Sequence, residues 1–451
     1  MKPIAVLVSL WAHHFGALEV FLESRGPVVL LVPGSAASPE LLELAARHGC
    51  EVVATRSLLP PRYSPAKRLL PAAEALRGHL AGWEPEGVDP VGRELLRRLV
   101  AERMDAELPA AVMVLQSLAA ARACYDIRLY ATTEDITARG RLVAGWAASH
   151  KIPSLHLAHS IALADPYTVH ARLGADKLAV YGARGAEGYL DLGVAPDRIV
   201  VTGNPAWDGY AALAGRRPQL RAELDQEYGL DPTLPLVVFG TTWMGHMTGL
   251  EPPGDTNAAS LRAFLAACEE LGRSGVRVNA VIKDRPANTS RGEATLTELL
   301  AEGEPKLQRY VRCTAHTREF AVAADVMVGV DSNYLVEAML VGTPVVNLVA
   351  EGLAILGPTF DEESGVVEAE PAELAGSIRR LLEDPGFRAA RLAQAAARIG
   401  YYNRGGLDGQ SARRVGEVMA AMAVPPPESP SAGPVRRIRT LWVAVLARVA
   451  R

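Results

Sequence analysis

ADVMVGVDSNYLVEAMLVGTPVVNL, residues 324–348, reads as strand, tight turn, helix, strand. Residues 324–330 and 344–348 are short apolar runs of the kind buried on both faces of a parallel sheet. Between them residues 334–341 carry helical spacing, and Gly342-Thr343-Pro344 stops the helix. Asp331, Ser332 and Asn333 then fall at the carboxyl end of a strand, where a helix opens. A helix start presents unpaired N–H groups and the positive end of its dipole, which suits a diphosphate. The same three residues also make an ordinary N-cap for any parallel α/β unit, so the motif by itself leaves both readings open. Glu337, one turn in, is placed to accept hydrogen bonds from ribose or sugar hydroxyls beyond such phosphates.

The alternation extends outward from this stretch. Upstream, strand-like runs occupy residues 4–10, 28–33, 51–55, 127–131, 153–157, 176–181 and 198–202, with helical spacing at 39–49 and 137–150. A helix-rich insert follows the Pro-rich passage 59–71 and runs to about residue 124. GNPAWDGYAALAG, residues 203–215, breaks the pattern and marks the crossing to a second half. There the runs 236–239, 276–282 and 308–312 precede the opening stretch, and helices are expected at 258–272, 316–324, 371–383, 385–399 and 408–423. This succession predicts an α/β fold of two doubly wound, Rossmann-like domains facing a cleft. The first is expected over residues 1–205 and the second over 216–424. Ligands of such sheets bind at strand carboxyl ends.

Composition bounds the function classes. At 451 residues the chain exceeds one ordinary core and suggests two domains. A net charge of -4 offers nucleic acid no attraction from the molecule as a whole. Cys50, Cys124, Cys268 and Cys313 are widely spaced, with no CxxC pair, and are expected to be buried reduced thiols. No run approaches the roughly 20 apolar residues of a spanning helix, and the start MKPIAVLVSLWAHHFG reads as a first strand rather than a signal peptide. A cytoplasmic location is expected.

The candidate chemical residues gather at strand ends. His156 and His159, in PSLHLAHSIA, are the candidate general bases, one imidazole taking a proton from an acceptor hydroxyl. His159 is preferred because it lies past the strand, beside Ser160, whereas His156 falls within it. Gly240, Thr241 and Thr242 follow the first strand of the second domain and are read either as lining a phosphate or acceptor pocket or as a plain loop. Lys283 and Arg285 follow the next strand, where two cations would offset the charge of a departing diphosphate. A solvated charge pair around Asp284 is the alternative. His316 and Arg318 are secondary candidates. No metal-binding DxD-type pair stands out, so metal independence is expected, and no cofactor is expected beside a nucleotide-diphosphate donor acting as substrate.

Four motifs together resemble one family. DRIVVTGNPAWD at 197–208, VIKDRP at 281–286, GVDSNYLVEAMLVGTPVV at 329–346 and DGQSARRVGEVM at 408–419 resemble GT-B nucleotide-sugar-dependent transferases, within them the CDP-glycerol glycerophosphotransferase and capsular-polysaccharide group. The resemblance runs from about residue 152 to 419 and does not cover 60–125. It implies that Asp331, Ser332 and Asn333 hold donor phosphates, that Glu337 meets the nucleotide sugar, that Lys283 and Arg285 meet the diphosphate, and that His159 or His156 is the base. Two departures, Arg285-Pro286 for the family's His-Pro and His159-Ser160 for its His-Gly, favour sugar transfer over polyol-phosphate transfer. VTGNPAWD also resembles UDP-N-acetylglucosamine 2-epimerases, but Val349-Ala350-Glu351-Gly352 stands where those carry Thr-Glu-Arg-Pro.

Residues 425–434 are expected to form a Pro-rich linker, and 435–451 a basic amphipathic helix with Trp442 on its apolar stripe. Such a helix suits an anionic membrane surface, or docking on the body of the protein or on a partner. The sequence therefore predicts a glycosyltransferase, peripheral on the inner membrane face, passing sugar from a nucleotide-diphosphate donor to a polysaccharide or lipid-linked acceptor. The alternatives are glycerophosphotransferase, 2-epimerase and non-catalytic membrane scaffold.

Overall fold

The computed structural model describes residues 2–84, 87–158, 161, 173–241, 256–284, 297–301, 306–349 and 359–424. Among these, seven strands form the first sheet: β1 (Ile4–Ser9), β2 (Val29–Val32), β3 (Val52–Ala54), β4 (Asp126–Thr132), β5 (Ser154–Leu157), β6 (Lys177–Val180) and β7 (Ile199–Val201). They lie in the order β3-β2-β1-β4-β5-β6-β7, every neighbouring pair parallel. Continuous apolar runs build such strands because helices cover both faces. In β1, Val6 and Val8 enter the core around Phe21 and Leu30. Ala5 and Leu7 enter the opposite core, around Leu115 and Trp146.

The second sheet holds β8 (Leu236–Gly240), β9 (Asn279–Lys283), β10 (Arg309–Cys313), β11 (Val326–Gly329), β12 (Val345–Leu348) and β13 (Val367–Ala369). Its order is β10-β9-β8-β11-β12-β13, again all parallel. Both expected doubly wound sheets are present. Each reverses its winding once, between β1 and β4 and between β8 and β11. At those points adjacent loops turn to opposite faces and leave a crevice.

The chain crosses between the two sheets twice. After β7 it runs through the 3-10 turns Pro205–Ala212 to the helix Arg217–Tyr228, which packs on the helix Thr317–Ala323 of the second domain. It comes back after the helix Pro385–Tyr402, and the helix Ser411–Met422 lies along Phe15–Arg25 of the first domain. A boundary at 424 would assign that last helix to the second domain, yet Val415 and Met419 join the first domain's core beside Val6 and Phe21. Its amphipathic spacing announces a helix without naming the sheet it covers. Asp208 ties the crossings together: its carboxylate accepts the opening N–H groups of the returning helix, from Ser411 at 3.0 Å and Ala412 at 2.7 Å.

The insert is a helical hairpin, Ala66–Ala81 and Pro90–Cys124, with its own small core of Ala72, Leu76, Leu108 and Val112. All four cysteines are free; Cys268 and Cys313 are buried, but Cys124 is exposed, against expectation, because the long helix ends there at the surface. The linker and basic helix expected over 425–451 lie outside the described residues. Among the described residues no helix is long and apolar enough to cross a membrane.

The returning helix depends on Gly416, where an added Cβ would sit 2.7 Å from Val20 Cβ and 2.9 Å from the Ala17 carbonyl oxygen. Gly416→Ala is expected to destabilise the protein by about 1–3 kcal/mol through overpacking. Met419→Ala, which empties a buried site, should cost about 2–5 kcal/mol. Urea unfolding followed by circular dichroism checks both.

Candidate functional site

The crevice of the second sheet is shaped by two glycines that face each other in register, Gly240 on β8 and Gly329 on β11. A Cβ on Gly240 would lie 2.5 Å from the Tyr334 ring, and one on Gly329 would lie 2.9 Å from Leu335 Cδ2. Their bareness lets the helix Asn333–Leu340 settle close over the strand ends. Gly240 thus makes room for Tyr334, whose hydroxyl donates to the Thr317 carbonyl at 2.8 Å.

The three residues that open this helix do different work. Ser332 is the N-cap, its hydroxyl accepting the Tyr334 N–H at 3.3 Å. Asp331 has a positive φ of 38°, a conformation Asp tolerates better than most side chains. It is held by the buried Asn347 of β12, whose Oδ1 accepts the Asp331 N–H at 2.9 Å. Asp331 Oδ1 accepts from Asn347 Nδ2 and from the Thr359 N–H, each at 3.4 Å. Asn333 reaches the other domain: its Oδ1 accepts the Ile161 N–H at 3.2 Å. The positive end of the helix dipole therefore faces the cleft between a cap, a turn-holding carboxylate and an interdomain contact.

Beside it, Lys283 at the end of β9 is only 4% exposed. Its ammonium donates to the carbonyls of Asp284 and Thr314, both at 3.0 Å. Burial lowers its pKa, while nearby Cys313, Asp284 and Glu337 push the other way. Asp284 binds Arg312 at 2.7 Å and accepts from the Thr241 hydroxyl at 2.8 Å. Lys283 is thus not half of a solvated pair; Asp284 is taken by Arg312, and the amine is fixed at the strand end.

Glu337 is the meeting point of domain and crossing. The Tyr210 hydroxyl donates to its Oε2, and the Trp207 side chain is hydrogen-bonded to it as well. Burial raises its pKa; those two bonds, then Arg318 and Lys283, oppose the rise. Its carboxylate is engaged by the linker aromatics, a contact that sequence spacing did not anticipate. Arg318 donates to the Ala206 carbonyl at 2.8 Å and lies 5.8 Å from the Tyr210 ring centre.

From the first domain, the loop after β1 reaches the same region, and its turn Ala12–His14 packs on Pro205–Ala212. His13 lies between Trp11 and His14, with ring centres 5.6 Å and 4.3 Å away. Partial loss of solvent lowers its pKa, and the Arg318 charge lowers it further, so the ring is neutral near pH 7. His156 is 2% exposed within β5, paired with Thr132 and Leu178. His316 binds Glu227 at 3.0 Å, on the outer side of its helix. His159, Thr242 and Arg285 lie outside the described residues.

The structure thus gathers Gly240, Thr241, Lys283, Asp331, Ser332, Asn333 and Glu337 at the second sheet's strand ends. It brings in Arg318, one of the two secondary candidates, and adds His13, Trp207 and Tyr210 to the group. His13 had a sequence signal, the pair in WAHHFG directly after the first strand. Trp207 and Tyr210 had only their place in the crossing.

No protein-family model matches the sequence, and no curated protein does. Solved structures do match. HepE from Anabaena in complex with UDP-glucose superposes with a TM-score of 0.51 at 15% identity, over 93% of this chain and 100% of that one. The UDP co-structure of MnaA from S. aureus gives 0.51 at 13% identity, over 92% and 95%. A variant of the wall teichoic acid polymerase TagF gives 0.50 at 11% identity, over 93% and 88%. The chain has the GT-B fold that these proteins share.

Tyr210→Phe should remove a hydrogen bond to a partly buried carboxylate, a loss of about 1.5–3 kcal/mol where Glu337 is ionised. Glu337 already titrates above its unfolded value, so the folded chain holds this proton to higher pH. The stability linked to it is full below the ordinary carboxylate range and declines as pH rises through the raised value. The variant, losing the strongest opposing bond, should show that decline start in the same ordinary carboxylate range but run on to higher pH and go deeper. Unfolding free energies of both proteins from pH 4 to 8, roughly the span over which shifted carboxyls titrate, test this.

Proposed function

We propose that the chain is a glycosyltransferase that moves a sugar from a nucleotide-diphosphate donor to a hydroxyl of a polysaccharide or lipid-linked acceptor. One observation carries the reading: Lys283, Thr241 and the helix start at Asp331–Asn333 converge on the crevice between β8 and β11. That is where a parallel sheet receives a nucleotide. HepE and MnaA, which share the fold, were solved with UDP-glucose and UDP, and this supports a nucleotide-diphosphate ligand.

In this reading the helix dipole and Lys283 offset the charge that grows on the diphosphate as the anomeric C–O bond breaks. A neutral imidazole takes the acceptor hydroxyl's proton as the new C–O bond forms. His13 suits that task because its turn packs on the crossing at Pro205–Ala212, and partial burial, then the Arg318 charge, favour its neutral form. His156 is enclosed in its strand. Arg285 would add a second cation and His159 a second candidate base, as the sequence motifs imply. The reaction needs no metal in this reading, since no DxD-type pair stands out in the sequence, and turnover unchanged by chelator is its check. The acceptor reading and the inner membrane face rest on the basic residues 435–451.

Calorimetric titration with UDP, CDP, GDP and dTDP should show micromolar binding of one nucleotide, lost in Lys283→Met. No binding of any nucleotide overturns both transferase and epimerase and leaves the scaffold. With the donor known, His13→Ala should lower kcat by about 10²–10⁴-fold with nucleotide affinity kept. An undiminished kcat in that variant, with the loss appearing in His159→Ala, returns the base to the loop after β5.

A further inference from the structure

At the edge of the first sheet opposite the cleft, where β1, β4 and β5 begin, a cavity of about 510 Å³ opens. Lys2, Arg122, Arg128 and Lys151 line it, with Asp126 as the carboxylate among its lining residues. Two of these charges are accounted for. Arg128 pairs with Asp126 at 2.5 Å, although its buried Nε has no hydrogen-bond partner. Lys2 donates to the Arg122 carbonyl at 2.7 Å, at the end of the long helix, where carbonyls attract cations.

Arg122 and Lys151 remain. Neither has a carboxylate within ion-pair distance among the described residues. Lys151 holds a left-handed φ of 58°, in a turn where glycine or asparagine would be cheaper. Ile127 and Ile152, both nearly buried, also line the cavity. Uncompensated cations around a partly apolar wall match a phosphate ester joined to an apolar body. Val424 also lines the cavity, and the residues that continue from it carry Arg436, Arg437, Arg439, Arg448 and Arg451 against the single acid Glu428.

We propose that this cavity binds the phosphate of an anionic phosphate ester, presented by a phospholipid headgroup at a membrane surface or free in solution. The binding needs no nucleotide, so its failure leaves the donor-site reading untouched.

The test uses the full chain with Arg122→Gln and Lys151→Gln together, beside a charge-matched control, Arg98→Gln with Arg103→Gln, on the exposed hairpin. Sedimentation with phosphatidylcholine vesicles, with and without phosphatidylglycerol, reads the lipid source. Calorimetry with glycerol phosphate reads the free ester. For a headgroup, the cavity variant should partition about thirtyfold more weakly to anionic vesicles, the combined effect of two surface cations, with the control unchanged. For a free ester, glycerol phosphate should bind the wild type and the control but not the cavity variant. If the cavity variant and the control behave alike in both measurements, whether unchanged or equally weakened, the proposal is overturned. Matching thermal melts exclude misfolding as the cause.

Discussion

The architecture depends on one carboxylate at the crossing. Asp208 sits in the segment that carries the chain out of the first domain and caps the helix that brings it back. Two N–H groups that a helix start would otherwise leave to water are satisfied across 203 and 204 residues of sequence. Around this cap the Arg414 guanidinium binds Asp408 at 2.6 Å, and Asn403 accepts the Asn204 N–H at 2.8 Å. Two motifs far apart in sequence, GNPAWD and DGQSARR, are therefore neighbours because each completes the other's hydrogen bonds.

The crossing and the crevice are one construction. Trp207 and Tyr210, from the outgoing segment, grip Glu337 on the helix that opens at the phosphate-suited edge. Arg318, from the preceding helix, touches the same segment and adds to the burial that lowers the pKa of His13 on the far side. A carboxylate buried beside this much aromatic surface is costly unless hydrogen-bonded, which explains why the linker spends two polar aromatic groups on it. The electrostatics of the two domains are thereby joined through a handful of side chains.

Much of the fold was legible because parallel sheets write themselves as apolar runs broken by helices. The strand at 324–330 and the helix after it lie within a few residues of their expected positions. Periodicity is a local quantity, however, and the placement of Ser411–Met422 on the first domain depends on a distant partner, Phe15–Arg25. The candidate site divides the same way. Lys283 and the Asp331 turn were visible as polar residues interrupting apolar strands. His13 follows the first strand directly, but only the strand order, which sets β1 where the winding reverses, makes that strand end a lip of the cleft. The bonds of Glu337 to Trp207 and Tyr210 carry no sequence signature, since they span 127 residues in the case of Tyr210.

Two covalent passages running side by side between the domains restrict how those domains move. A single tether lets one body slide, twist and swing against another, whereas a paired tether leaves chiefly a swing about the line through both passages. The capped pair at Asp208 and Ser411 also ties the two passages to each other, so that neither shifts without pulling on the other. Away from the passages, the Ile161 N–H and the Asn333 side chain add a third link between the domains, one that is hydrogen-bonded and not covalent.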